Sequence, residues 1–165
     1  MAGTTIGIDP TKVRTSTEGG EFRLGTLGVV ETSAGTKEYV YVTSAAGITG
    51  DGYVALVDGS SFDAVMASTT TSAPGTGAGK LAGCARAAIA AGGFGWLQIY
   101  GPGTVRAAAA AAIYTIVNTT ATAGALDDDA TAGSEVIDGI VFDAAPSGAG
   151  AFAGFLNYPK VGRTL

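Results

Sequence analysis

Residues 92–105 read GGFGWLQIYGPGTV, and this stretch decides the fold. Phe94, Trp96, Gln98 and Tyr100 alternate with Gly95, Leu97 and Ile99, which places the two sets on opposite faces of an extended strand. Gly101-Pro102-Gly103 then interrupts it. Glycine tolerates positive φ, and proline fixes φ and donates no hydrogen bond. Thr104-Val105-Arg106 resumes in an extended style. The pattern predicts a β-hairpin turning at 101–103, with its aromatic face packed into, or capping, a core.

Upstream, 80–91 (KLAGCARAAIAA) fits both helical spacing and strand alternation. The turn signals that bound it favour a strand. Residues 67–79 (ASTTTSAPGTGAG) form a Ser/Thr/Gly-rich loop, a length that predicts exposure or capture by a partner. YVALV at 53–57 reads as a short buried strand, and 62–66 follows it. KEYVYVT at 37–43 has the best strand propensity. It pairs naturally with FRLGTLGVV at 22–30 through the Ser33-Ala34-Gly35 turn, as a hairpin. Downstream, six alanines at 107–112 predict a tightly packed strand or one helical turn, continued by a strand to Val117. EVIDGIVF at 135–142 is a further strand, and 152–156 a last short apolar piece.

Strands recurring at short intervals between turns predict an all-β, single-domain β-sandwich or barrel with long Gly/Ser/Thr-rich loops. The organisation expected is an extended N-terminal arm (1–20), a β-domain (21–157) and a polar C-terminal tail (158–165). The arm is frayed, or ordered by a neighbour to which it adds a strand. On that reading, removing 1–20 leaves a folded domain with weakened attachment.

Composition narrows the function. The chain has 165 residues, of which 27 are Gly and 14% are charged. Small, weakly charged surface residues cost little to desolvate, which suits burial against other subunits; a Gly-rich β-protein with a quiet surface is the plainer reading. The formal charge of −5 and the scatter of nine cations argue against nucleic-acid binding. No apolar run is long enough to cross a bilayer. The first ten residues, MAGTTIGIDP, lack the basic start and apolar run of a signal peptide, so a soluble protein made in a cytoplasm is expected.

Histidine is absent. That removes the commonest general base, the Ser-His and Cys-His nucleophilic pairs and the usual zinc ligands. Cys84, the one cysteine, sits among alanines and reads as a buried, inert thiol. PGTGAGK at 74–80 fails the phosphate-loop pattern, because Pro74 stands where glycine is required and Leu81 follows the lysine. Asp127-Asp128-Asp129 lacks the spacing of a calcium loop and reads as a solvated acidic turn. A carboxylate pair among Asp51, Asp58, Asp63, Glu135, Asp138 and Asp143 is the remaining route to a hydrolase, and nothing favours any two. The residues nominate no catalytic, cofactor-binding or metal-ligating group. Trp96, Phe94 and Tyr100 fit a core better than a sugar-stacking face.

The order KEYVYVTSAAGITGDGYVALVDG, a Thr/Ser-rich loop, 84–89, FGWLQIYGPGTVRAAAAAA, TATAGALDDDATAG and 136–142 resembles small structural proteins of tailed bacteriophages, especially capsid decoration (cement) proteins and related head proteins. The resemblance spans roughly 37–142. It implies a virion protein that binds the outside of the shell at symmetry axes, as a homotrimer, and bridges capsomers. Its partners would be the major capsid protein and itself. The contact residues expected are Ile6 and Ile8 in the arm, and Phe94, Trp96 and Tyr100 on the central strand. The alternative is a tail or fibre protein that binds a host glycan through Trp96 and its neighbours.

Overall fold

The computed structural model describes residues 7–165. Ten strands follow in order: β1 (Leu27–Thr32), β2 (Gly35–Ser44), β3 (Val54–Val57), β4 (Ala64–Met66), β5 (Leu81–Ala85), β6 (Gly93–Ala107), β7 (Asn118–Thr119), β8 (Leu126–Asp127), β9 (Glu135–Phe142) and β10 (Gly150–Thr164). There is no helix among the described residues. All ten belong to one sheet, ordered β1-β2-β6-β8-β7-β9-β10-β5-β3-β4, and β6 also bonds β10 and β5. The chain is all-β and forms one domain, as its alternation and turn spacing predict.

β6 organises the molecule. The hairpin expected at 101–103 does not form; the strand runs straight through Gly101-Pro102-Gly103 and changes partners there. Gly93 to Tyr100 pair antiparallel with β2, and Tyr100 to Ala107 pair with β10. Tyr39 lies opposite Gln98 and Glu38 opposite Tyr100, so Ile99 is an extra residue that bends the strand. Gly101, at φ 92°, supplies the left-handed backbone the corner needs. Past the corner, the pairings β6–β8–β7–β9–β10 return to β6.

β3 and β5 form a wall between two cores. Val54 to Val57 are all buried, which accounts for the unbroken apolar run in the sequence. Val54, Leu56, Ala82 and Cys84 face a core built with Val105, Leu126, Ile137, Ile140, Phe142 and Leu156. Ala55, Val57 and Ala85 face the other, with Val40, Val42, Ile89, Leu97 and Ile99. The wall is thin because its residues are small: a Cβ at Gly83 would sit 3.0 Å from the Leu97 side chain and from the Gln98 carbonyl oxygen. The abundance of Gly and Ala is thus partly a packing requirement of the interior.

A third apolar cluster covers the outer face of β2 and β6. Tyr39, Tyr41 and Trp96 are buried there beneath Ile8, Phe22, Leu24, Val30 and Phe94. This corrects, for residues 7–20, the expectation of an extended arm that is frayed or ordered by a neighbour; residues 1–6 lie outside the described residues. Arg14 and Phe94 exchange two backbone hydrogen bonds of 2.9 Å, and Lys12 pairs with Glu21 at 2.9 Å. Residues 7–20 are folded onto their own domain. The expected tail at 158–165 is corrected as well, since β10 continues to Thr164 and pairs with β9 and β5. The loop at 67–79 is held by the chain itself: Ser72, fully buried, donates to the Ser68 carbonyl at 2.7 Å and bonds the Thr119 hydroxyl at 3.0 Å. After Ala107 the alanine run leaves the sheet, and the predicted strand to Val117 is an irregular segment touched by one bridge, Ala110 to Ser147.

Candidate interaction surface

The aromatic residues of the central strand divide at the corner. Trp96 is 2% exposed. Its ring lies 4.9 Å from Tyr41 and 5.2 Å from Phe22, centroid to centroid. Phe94 is half-buried and stacks on Tyr41 at 6.4 Å. Ile8 packs on the same cluster. Trp96 is therefore a core residue, as its place on the aromatic face of the strand predicts, and does not serve as the contact residue expected from the resemblance. Ile6 lies outside the described residues.

Tyr100 belongs to a second group. It stacks on Tyr158 at 5.2 Å and meets the edge of Phe155 at 5.7 Å. Tyr158 is half exposed and donates its hydroxyl to Glu38 Oε2 at 2.8 Å. That hydrogen bond to a carboxylate holds the phenol above its ordinary pKa, because ionisation would place two negative charges together. The pair ties β2 to β10.

The other polar candidates are structural. Cys84 is buried between β3 and β6, and burial pushes its thiol up to about 12, far from the thiolate that a nucleophile requires. Asp127 Oδ1 accepts the amides of Asp128 and Asp129, and Asp128 Oδ2 accepts the Ala112 amide at 2.8 Å, so the acidic turn caps its own backbone. Among the described residues no three His, Cys, Asp or Glu side chains gather as a metal site. Glu135 is buried, accepting from the Thr164 hydroxyl at 2.8 Å.

What sequence reading missed lies just past the alanines. Ile113, Tyr114 and Ile116 are 45%, 68% and 58% exposed, three large apolar side chains within four residues. Their segment touches β9 through two backbone hydrogen bonds, Tyr114 N–H to the Phe142 carbonyl at 3.1 Å and Ile137 N–H to the Val117 carbonyl at 2.9 Å. Tyr114 has φ 55°, an uncommon conformation for a bulky residue. A shallow cleft of about 210 Å³ lies between the segment and β9, with Asp138 and Val141 on its far wall. The cations are also unevenly placed along the chain. None falls between Arg106 and Lys160, while that span holds Asp127, Asp128, Asp129, Glu135, Asp138 and Asp143. A signal was therefore present in the sequence: an apolar run inside an acidic stretch with no lysine or arginine.

No family model matches the chain, and no curated protein matches its sequence.

Proposed function

We propose that the protein is a structural component of a tailed-phage head. It binds the outside of the assembled capsid shell as a homotrimer and stabilises the shell by bridging capsomers, without catalysis. One observation carries this reading. A chain that buries its tryptophan and two of its tyrosines leaves Ile113, Tyr114 and Ile116 on the surface within four residues of one another, and large exposed apolar side chains grouped together mark sites of protein contact. The low charge and the resemblance to decoration proteins support it. The mechanism is mass action: a protein that binds only the assembled shell stabilises it by its binding free energy.

The test is co-sedimentation of the full chain with undecorated tailed-phage capsid shells, after light scattering has fixed the oligomer in solution. Saturable binding at a fixed ratio of trimers to capsomers is the expected result. A monomer that stays in the supernatant at every shell concentration contradicts it.

Glycan binding by a tail or fibre protein is the second reading. The burial of Trp96 moves it to Tyr158, whose half-exposed ring stands over Tyr100 beside the Glu38 carboxylate. A glycan array with a Tyr158→Ala control separates the two.

A further inference from the structure

We propose that Ile113, Tyr114 and Ile116 form an apolar plug that seats in an apolar socket rimmed by lysine and arginine on a partner protein. This deepens the reading of the molecule as a docking module, and it does not require that the partner be a capsid shell.

The apolar half of the argument is exposure held in place by backbone. Tyr114 is the most exposed large apolar side chain among the described residues, at 68%. It is fixed on both sides: the Ala112 amide is held by Asp128 and the Val117 carbonyl by Ile137. The Thr115 hydroxyl donates back to the Ala112 carbonyl at 3.1 Å, closing the turn between them. A tyrosine presented on an ordered turn loses little entropy on binding and is a favoured anchor at interface centres.

The partner's chemistry follows from charge. Asp128 bonds the segment at its start, Asp143 follows the Phe142 carbonyl that bonds Tyr114, and Asp138 lines the cleft beside Ile116. Every ion pair among the described residues joins side chains from 12–86, so none reaches Asp128 or Asp143. Lys160 lies opposite Asp138 across β9 and β10 and offsets its charge, which leaves Asp128 and Asp143 to set the sign of the field around the segment. An apolar patch in such a field is attracted to a basic rim and repelled by an acidic one. A second copy of this chain would bring its own aspartates against these. Self-association through the patch is therefore disfavoured. Nucleic acid and anionic lipid are disfavoured by sign.

Two measurements test this. In the first, the amide spectrum of the full chain is followed by NMR while a synthetic amphipathic peptide of leucine and lysine is added, then repeated with leucine and glutamate. The lysine peptide is expected to shift residues 112–117 and 138–143, with affinity that falls between roughly 50 and 300 mM salt. Equal shifts with the glutamate peptide, or shifts that map elsewhere, overturn the proposal. So does concentration-dependent self-association through the same residues. In the second, Tyr114→Ser with Ile116→Ser is compared with the full chain on capsid shells, using Leu27→Ser as the exposed control. Loss of about tenfold or more in affinity is expected for the double variant alone. Shells bound equally by the double variant overturn the plug and leave the shell reading standing. A native chain that ignores shells but takes the lysine peptide at 112–117 overturns the shell reading and leaves the plug.

Discussion

The side-chain amide of Gln98 donates to the Pro102 carbonyl oxygen at 3.0 Å, four residues ahead on the same strand. The same nitrogen lies 3.1 Å from the carbonyl oxygens of Tyr100 and Gly101. Where β6 exchanges β2 for β10, the bend takes carbonyls out of the ladder, and the buried glutamine supplies donors in place of a strand. Gln98→Leu keeps the volume and removes those donors. It is expected to cost about 2–3 kcal/mol, the desolvation penalty of carbonyls left without partners. Urea denaturation reads the change directly. A leucine variant as stable as the native chain would show that the corner needs no side-chain donor.

Trp96 tests the division between core and surface. With its ring enclosed by Tyr41 and Phe22, Trp96→Ala is expected to lose about 3–5 kcal/mol of stability. The fraction that remains folded should bind shells with native affinity. A variant that keeps its melting temperature and loses binding would return Trp96 to the surface.

The N-terminal segment gives a prediction opposite to the one its composition suggested. Removing 1–20 takes Ile8 off the cluster of Tyr39, Tyr41 and Trp96, and breaks the Arg14–Phe94 hydrogen bonds. A loss of about 2–4 kcal/mol in global stability is expected from the apolar area and the backbone bonds together. The ion pairs of Lys12 and Arg14 are partly exposed and add little. Differential scanning calorimetry of the truncated chain checks this; an unchanged melting temperature would restore the arm.

Asp58 predicts the response to acid. Its carboxylate accepts from the backbone amide of Ser61, from the Ser60 hydroxyl and amide, and from the Ser61 hydroxyl, and these bonds hold its pKa well below the usual carboxylate range. A depressed folded-state pKa stabilises the fold above the unfolded value of about 3.9, and the contribution fades as pH falls through the folded value. Asp58→Asn should therefore be less stable than the native chain at neutral pH, with the gap closing below about pH 4. A gap independent of pH would mean that the charge is not what matters.

Much of this fold is legible in local pattern. The hairpin of β1 and β2 and the bounds of β9 follow from alternation between turn residues. Where local pattern misleads, the cause is shared: glycine and proline punctuate these strands without ending them. Gly101-Pro102-Gly103 looks like a turn, yet Pro102 sits where β6 swaps neighbours and its missing amide leaves no gap in the pairing with β10. Pro159 made 158–165 look like a tail, although it falls in the irregular stretch between Leu156 and Lys160, where the ladder to β9 is already broken. Gly139, at φ 83°, shifts the alternation of β9 so that Ile137 and Ile140 reach the same core. Such bulges depend on the neighbouring strand, which local spacing does not name. The exposed tyrosine of the 113–116 turn was hidden by its own strand propensity, and the empty interval between Arg106 and Lys160 was the clue to it.

The central claim, that this protein works by docking on an assembled shell, is met most directly by the thermal disruption of undecorated shells with and without the full chain. The account predicts that the disruption temperature rises with added protein and levels off once every site is filled. A disruption temperature unmoved by protein in large excess over capsomers would contradict it.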